Sequence, residues 1–133
     1  MTVKELSQYY HYMREIRDID GKITALETKA LSAPAMSDMP KGKNNVNRET
    51  EGTALALEKF RRERAHHVRR AAEELYKLEV YINAIEDGMT RRIFRYRYCD
   101  CLTWDEVAGK MGQGYTLEAV KKRHNRYLRA SRG

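Results

Sequence analysis

The sequence predicts an all-α protein: a long antiparallel helical hairpin or coiled coil, followed by a C-terminal helix-turn-helix. Three observations lead there. Apolar residues recur three and four apart through two long segments, the spacing that gathers side chains on one stripe of a helix. Only two prolines occur, Pro34 and Pro40, and both fall between those segments. The last third of the chain carries helix caps and turn glycines at short, helix-like intervals.

The first helix is expected over residues 3–31, with Leu6, Tyr10, Met13, Ile16, Ile19, Ile23 and Leu26 as its stripe. Residues 32–52 break any period with Pro34, Pro40, Gly42, Asn44, Asn45, Asn47 and Gly52, and are expected to form a long loop. The second helix begins near Thr53 and carries a tighter seam of Val68, Ala71, Leu75, Leu78, Ile82 and Ile85. At roughly 30 residues each, the two rods would be about 45 Å long, so helix one folded back through the loop can cover that seam. A second copy of the chain would cover it equally well. Because a lone two-helix hairpin buries little surface, a homodimer through these N-terminal helices is the expected assembly.

Charge is distributed unevenly. Residues 1–31, 32–52 and 53–87 each carry as many acidic as basic side chains, whereas residues 88–133 carry eleven basic and four acidic ones, the whole formal excess of +7. Clustered Lys and Arg displace condensed counterions from phosphates, so this tip suits a polyanion. A second basic run, Lys59, Arg61, Arg62, Arg64, His66, His67, Arg69 and Arg70, falls all round its helix. It is interleaved with Glu58, Glu63, Glu73 and Glu74 at pairing distance, and reads as a solvated face.

Within the basic tip, Asp87 is placed to cap a helix from Met89 to about Tyr98, with Ile93, Phe94 and either Tyr98 or Arg97 turned inward. Thr103-Trp104-Asp105-Glu106 is a capping box opening a short helix that buries Trp104, Val107, Ala108 and Met111. Gly112 and Gly114 supply the left-handed conformations of a sharp turn, and Thr116 caps a last helix over residues 117–130. Its inward stripe is Val120, His124, Tyr127 and Leu128. Two short helices joined by a glycine turn describe a helix-turn-helix, whose second helix enters the major groove of duplex DNA. Glu118, Lys121, Lys122 and Asn125 would then face base edges, and Arg123, Arg126 and Arg129 the DNA backbone. Thr103, Trp104, Val107, Val120 and Tyr127 would hold the motif together. The domains are therefore 1–86, two long helices with a loop at about 32–52, and 87–133, the DNA-binding part.

Other chemistries find little support. Cys99 and Cys101 lack the further Cys or His pair that a zinc site needs, and the adjacent His66 and His67 point about 100° apart on a helix. His124 sits on an apolar stripe with no nucleophile or carboxylate at matching spacing, as a packed histidine would. Neither catalysis nor a cofactor is expected. With no apolar run near the ~18 residues of a membrane span and no apolar signal region, a cytoplasmic protein is expected.

Residues 85–129 resemble region 4 of the bacterial sigma-70 family. The matching pieces are Arg92-Ile93-Phe94-Arg95-Tyr96-Arg97-Tyr98, Leu102-Thr103-Trp104-Asp105-Glu106-Val107-Ala108 and Val120-Lys121-Lys122-Arg123-His124-Asn125-Arg126. With its N-terminal helix and total length, the chain is similar to short phage-encoded sigma-like proteins of the ArpU type of late-gene regulators. The resemblance implies a phage or prophage transcriptional regulator that binds DNA in the bacterial host cell and contacts host RNA polymerase. Two departures stand out: the turn from Gln113 to Ala119 is about two residues longer than in that family, and Cys101 stands where many of its members have glycine. No sigma region 2 accompanies the motif, so promoter opening is not expected. Two rivals share the basic tip, a small-terminase-like DNA-packaging protein and an adaptor docking on RNA polymerase.

Overall fold

The computed structural model describes residues 1–32 and 43–131, with side chains described for 1–31 and 51–131. Among the described residues all regular structure is helical. In chain order the elements are α1 (Val3–Leu6), α2 (Gln8–Ser32), α3 (Lys43–Asn83), α4 (Gly88–Phe94) continued by a π-helical turn (Arg95–Cys99), α5 (Trp104–Met111) and α6 (Leu117–Ser131).

The first helix is divided where one rod was expected. Thr2 caps α1 by accepting from the Glu5 amide, and Ser7, the residue between α1 and α2, turns its hydroxyl back onto the Val3 carbonyl at 2.7 Å. Such back-bonding is the local competition through which serine interrupts helices. The second rod starts at Lys43, ten residues before Thr53. No proline follows Pro40, so every amide from there to Asn83 can donate, and asparagine and glycine cost only ~1 kcal/mol or less apiece. The remainder of the expected loop, residues 33–42 with both prolines, lies outside the described residues.

The described chain forms two compact units, residues 13–69 and residues 1–12 with 70–133. In the first unit α2 and α3 run antiparallel. Arg61 pairs with Glu27 at 3.0 Å, Arg64 with Asp20, and His67 with Glu15 at 3.2 Å, the partner numbers falling as the α3 numbers rise. Lys22 lies over the Phe60 ring at 5.5 Å. Ile16 and Ile19 are buried, whereas Met13, expected on the same stripe, is 38% exposed. The Arg61–Glu27 and Arg64–Asp20 pairs are solvent-exposed, so each contributes little stability, whereas His67 is half-buried. They do set partners for the basic run of α3, in which Arg62 also pairs with Glu58 at 2.9 Å and, in the second unit, Arg70 pairs with Glu73 at 3.6 Å.

The second unit holds two apolar clusters. One gathers Leu6, Leu78, Ile82, Ile85, Phe94, Tyr98 and Leu128; the other gathers Ile93, Val107, Ala108 and Val120, flanked by Tyr96, Leu102, Trp104, Met111 and Tyr115. The Leu78, Ile82 and Ile85 part of the expected seam is therefore covered within the chain, by Leu6 and the C-terminal helices. Ile93 and Phe94 are neighbours in sequence, project about 100° apart, and each enters a different cluster. The π-helical turn closes with the Asp100 amide donating to the Arg95 carbonyl at 3.1 Å. Directly after it, Cys101 has φ 58, a left-handed conformation that only glycine adopts without cost. Burial and the nearby Glu79 push the Cys99 thiol up to about 12, which keeps it protonated, and its sulfur lies 3.6 Å from Glu79 Oε1.

Candidate nucleic-acid interface

α5 starts at the expected capping box. The Thr103 hydroxyl accepts from the Glu106 amide at 3.2 Å, and Glu106 Oε1 accepts from the Thr103 amide at 3.1 Å, which holds the Glu106 carboxyl below its ordinary range. Thr103→Ala is expected to destabilise this unit by about 1 kcal/mol, lowering the midpoint of a circular-dichroism melt by several degrees. Gly112 (φ 100) ends α5 and Gly114 (φ 90) completes the reversal. The Thr116 hydroxyl then accepts from the Ala119 amide at 3.1 Å and caps α6.

α6 has a locked face and an open one. Val120, His124 and Leu128 are buried, and Tyr127 is half-buried with its ring 5.3 Å from that of Phe94. Glu118, Lys122, Asn125, Arg126 and Arg129 are exposed, and Lys121 is half-buried at their edge. Of the residues expected to hold the motif, Val107 and Val120 are fully buried. Trp104 is half-buried, with the Arg97 guanidinium 4.7 Å over its ring and the His124 ring centre 4.8 Å away in a T-shaped arrangement. Thr103 is exposed and acts through its cap.

Two of the outward candidates carry bonds that local sequence does not reveal. Arg123, expected at the DNA backbone, is half-buried and pairs with Asp87 at 2.8 Å. Asp87 also accepts from the Thr90 amide at 3.1 Å and from the Thr90 hydroxyl, thereby capping α4. The Thr90 hydrogen bonds first, and then Arg123, hold the Asp87 carboxyl below its usual range. Its stabilising contribution is therefore complete above the ordinary carboxylate pKa and is lost as pH falls through the lower folded value. Melting midpoints measured from neutral to strongly acidic pH should fall in that window, and Asp87→Asn should flatten the fall while lowering the neutral-pH midpoint.

Asn125, expected at a base edge, is exposed yet has Oδ1 2.9 Å from Nδ1 of the buried His124. The other ring nitrogen of His124, Nε2, lies 2.5 Å from the Tyr98 hydroxyl. Burial lowers the His124 pKa and raises that of Tyr98 to about 12, so a neutral imidazole meets a protonated phenol.

Comparison with protein-family models, with curated proteins and with solved structures finds no match.

Sequence reasoning also passes over α4 as a surface. Arg91, Arg92 and Arg95 line a shallow hollow with Asp87, Gly88 and Met89. Two of these arginines are anchored: Arg91 donates to the Ile85 carbonyl at 2.9 Å, and Arg95 to Asn83 Oδ1 at 2.8 Å with Glu79 nearby at 3.7 Å. Among the described residues no group of three or more His, Cys, Asp or Glu is placed to hold a metal ion, and no helix is long and apolar enough to cross a membrane.

Proposed function

We propose that the chain is a DNA-binding transcriptional regulator of phage or prophage origin, with α5, the glycine turn and α6 acting as a sigma-region-4-like helix-turn-helix and α6 lying in the major groove. The observation that carries this reading is the two-sided character of α6. Its inner face is fixed by Val120, His124 and Leu128, while Lys122, Asn125, Arg126 and Arg129 stand exposed on the other side. A cationic helix face on a rigid support is the arrangement that phosphate neutralisation and groove reading require. The excess of positive charge lies in the same part of the sequence. The left-handed backbone at Cys101 adds support, because many members of the resembling family have glycine there and φ 58 is a conformation that glycine adopts freely. The sigma-like resemblance further proposes contact with host RNA polymerase, and the N-terminal helices propose a homodimer.

Sequencing of genomic fragments retained by the purified chain tests the reading. Enrichment of phage promoter regions is expected. Enrichment of a single packaging-type site, together with a ring-sized mass in solution, would replace transcription with DNA packaging. An absence of salt-dependent affinity for duplex DNA would turn the basic tip toward a protein partner.

A further inference from the structure

We propose that Asn125 is a specificity-determining residue that presents its amide NH2 group, and not its carbonyl oxygen, to DNA, and thereby selects guanine at the base it meets. This rests on the DNA reading above.

The inference follows from proton bookkeeping in the Tyr98–His124–Asn125 chain. A neutral imidazole carries one ring proton, so two arrangements are open to it. In the first, the Tyr98 hydroxyl donates to Nε2 and the Nδ1 proton is donated to Asn125 Oδ1. In the second, Nε2 donates to the Tyr98 oxygen, and the amide turns over so that its NH2 group donates to Nδ1. Tyr98 is 3% exposed and His124 is 2% exposed, so water satisfies neither. Among the described residues the only hydrogen-bond partner of the Tyr98 hydroxyl is His124 Nε2. The second arrangement strands the phenolic proton in the core without an acceptor, a desolvation loss that the first avoids. The placement of Oδ1, rather than Nδ2, 2.9 Å from Nδ1 agrees with the first.

The consequence lies on the surface. With its oxygen turned to the imidazole, the exposed Asn125 offers two N–H donors outward. An asparagine that reads adenine uses its oxygen to accept from N6 and its NH2 to donate to N7; guanine presents two acceptors, O6 and N7, and matches two donors. His124 and Tyr98 are thus positioning residues. They reach no base, yet they fix which side of the amide faces the groove.

Two measurements test this. In the free protein, the nitrogen resonances of the His124 ring report its tautomer without any DNA. A proton on Nδ1 is expected, and a proton on Nε2 overturns the proposal. Selection from a randomised duplex library is then run with the wild-type chain, Asn125→Ala and Tyr98→Phe. The wild type is expected to favour guanine at one position by about tenfold, and Asn125→Ala to lose that preference alone. Tyr98→Phe, if it melts cooperatively, should admit adenine at the same position, because the ring is then free to carry its proton on Nε2. An unchanged motif with Asn125→Ala, or adenine as the wild-type choice at the relaxed position, overturns the proposal. Salt-dependent binding without any sequence preference overturns it while leaving DNA binding intact. No affinity for duplex DNA removes the functional reading and this inference with it, even where the ring tautomer is as expected.

Discussion

Phe94→Ala is expected to unfold the C-terminal helices or bring them close to it. Phe94 is fully buried in the cluster with Leu6, Leu78, Ile82, Ile85, Tyr98 and Leu128. Its ring also lies 4.9 Å from His124 in a stacked arrangement, 5.3 Å from Tyr127, 5.7 Å from Tyr98 and 6.3 Å from Tyr81. Truncating a buried phenylalanine costs about 3–5 kcal/mol, and aromatic pairing can add ~0.5–1.5 kcal/mol for a good contact. A domain stability of about 5–15 kcal/mol leaves little after such a loss. Thermal and urea melts followed by circular dichroism measure it. Met89→Ala is the matched control, since Met89 is 40% exposed and should change stability by no more than ~0.5 kcal/mol. Equal melts for the two variants would contradict the core described for this unit.

The second large effect concerns binding. The triple substitution Lys122→Ala, Arg126→Ala and Arg129→Ala removes three exposed cations from the open face of α6. Duplex affinity is expected to fall about 100-fold near 0.1 M salt, at roughly 1.4 kcal/mol for each tenfold change. The slope of log affinity against log salt should drop by about one for each phosphate that is no longer neutralised. The melting midpoint should stay close to that of the parent, because none of the three side chains is buried. Affinity within twofold of the parent would place the DNA surface elsewhere, and the arginine-lined hollow on α4 would be the next face to test.

The features legible in the sequence are those decided within one helical turn. Asp87, Thr103 with Glu106, and Thr116 each satisfy an amide three residues ahead, so residue type and spacing suffice to locate them. Gly112 and Gly114 are legible because a left-handed backbone strongly favours glycine. The inward stripe of α6 follows from helical periodicity alone. What could not be read depends on how helices dock. Asp87 meets Arg123 across 36 positions and Tyr98 meets His124 across 26, and no local rule couples such residues. The same is true of Arg61 and Glu27, which are 34 positions apart. The π-helical turn carries no compositional mark either: Arg95-Tyr96-Arg97-Tyr98-Cys99 would suit an ordinary helix equally well. The early start of α3 escapes a reading of the sequence because glycine and asparagine look like breaks, although neither removes a backbone donor as proline does.

The split anchorage of α6 has a mechanical consequence. Val120 is seated in one cluster and Leu128 in the other, about two turns further on, so the helix resembles a beam set in two walls. Rocking it to follow a curved groove would pry both seats open together. Were α6 to enter a groove as proposed, the accommodation would fall to the duplex, and sites whose flanks bend or narrow cheaply would gain affinity at steps that no side chain touches.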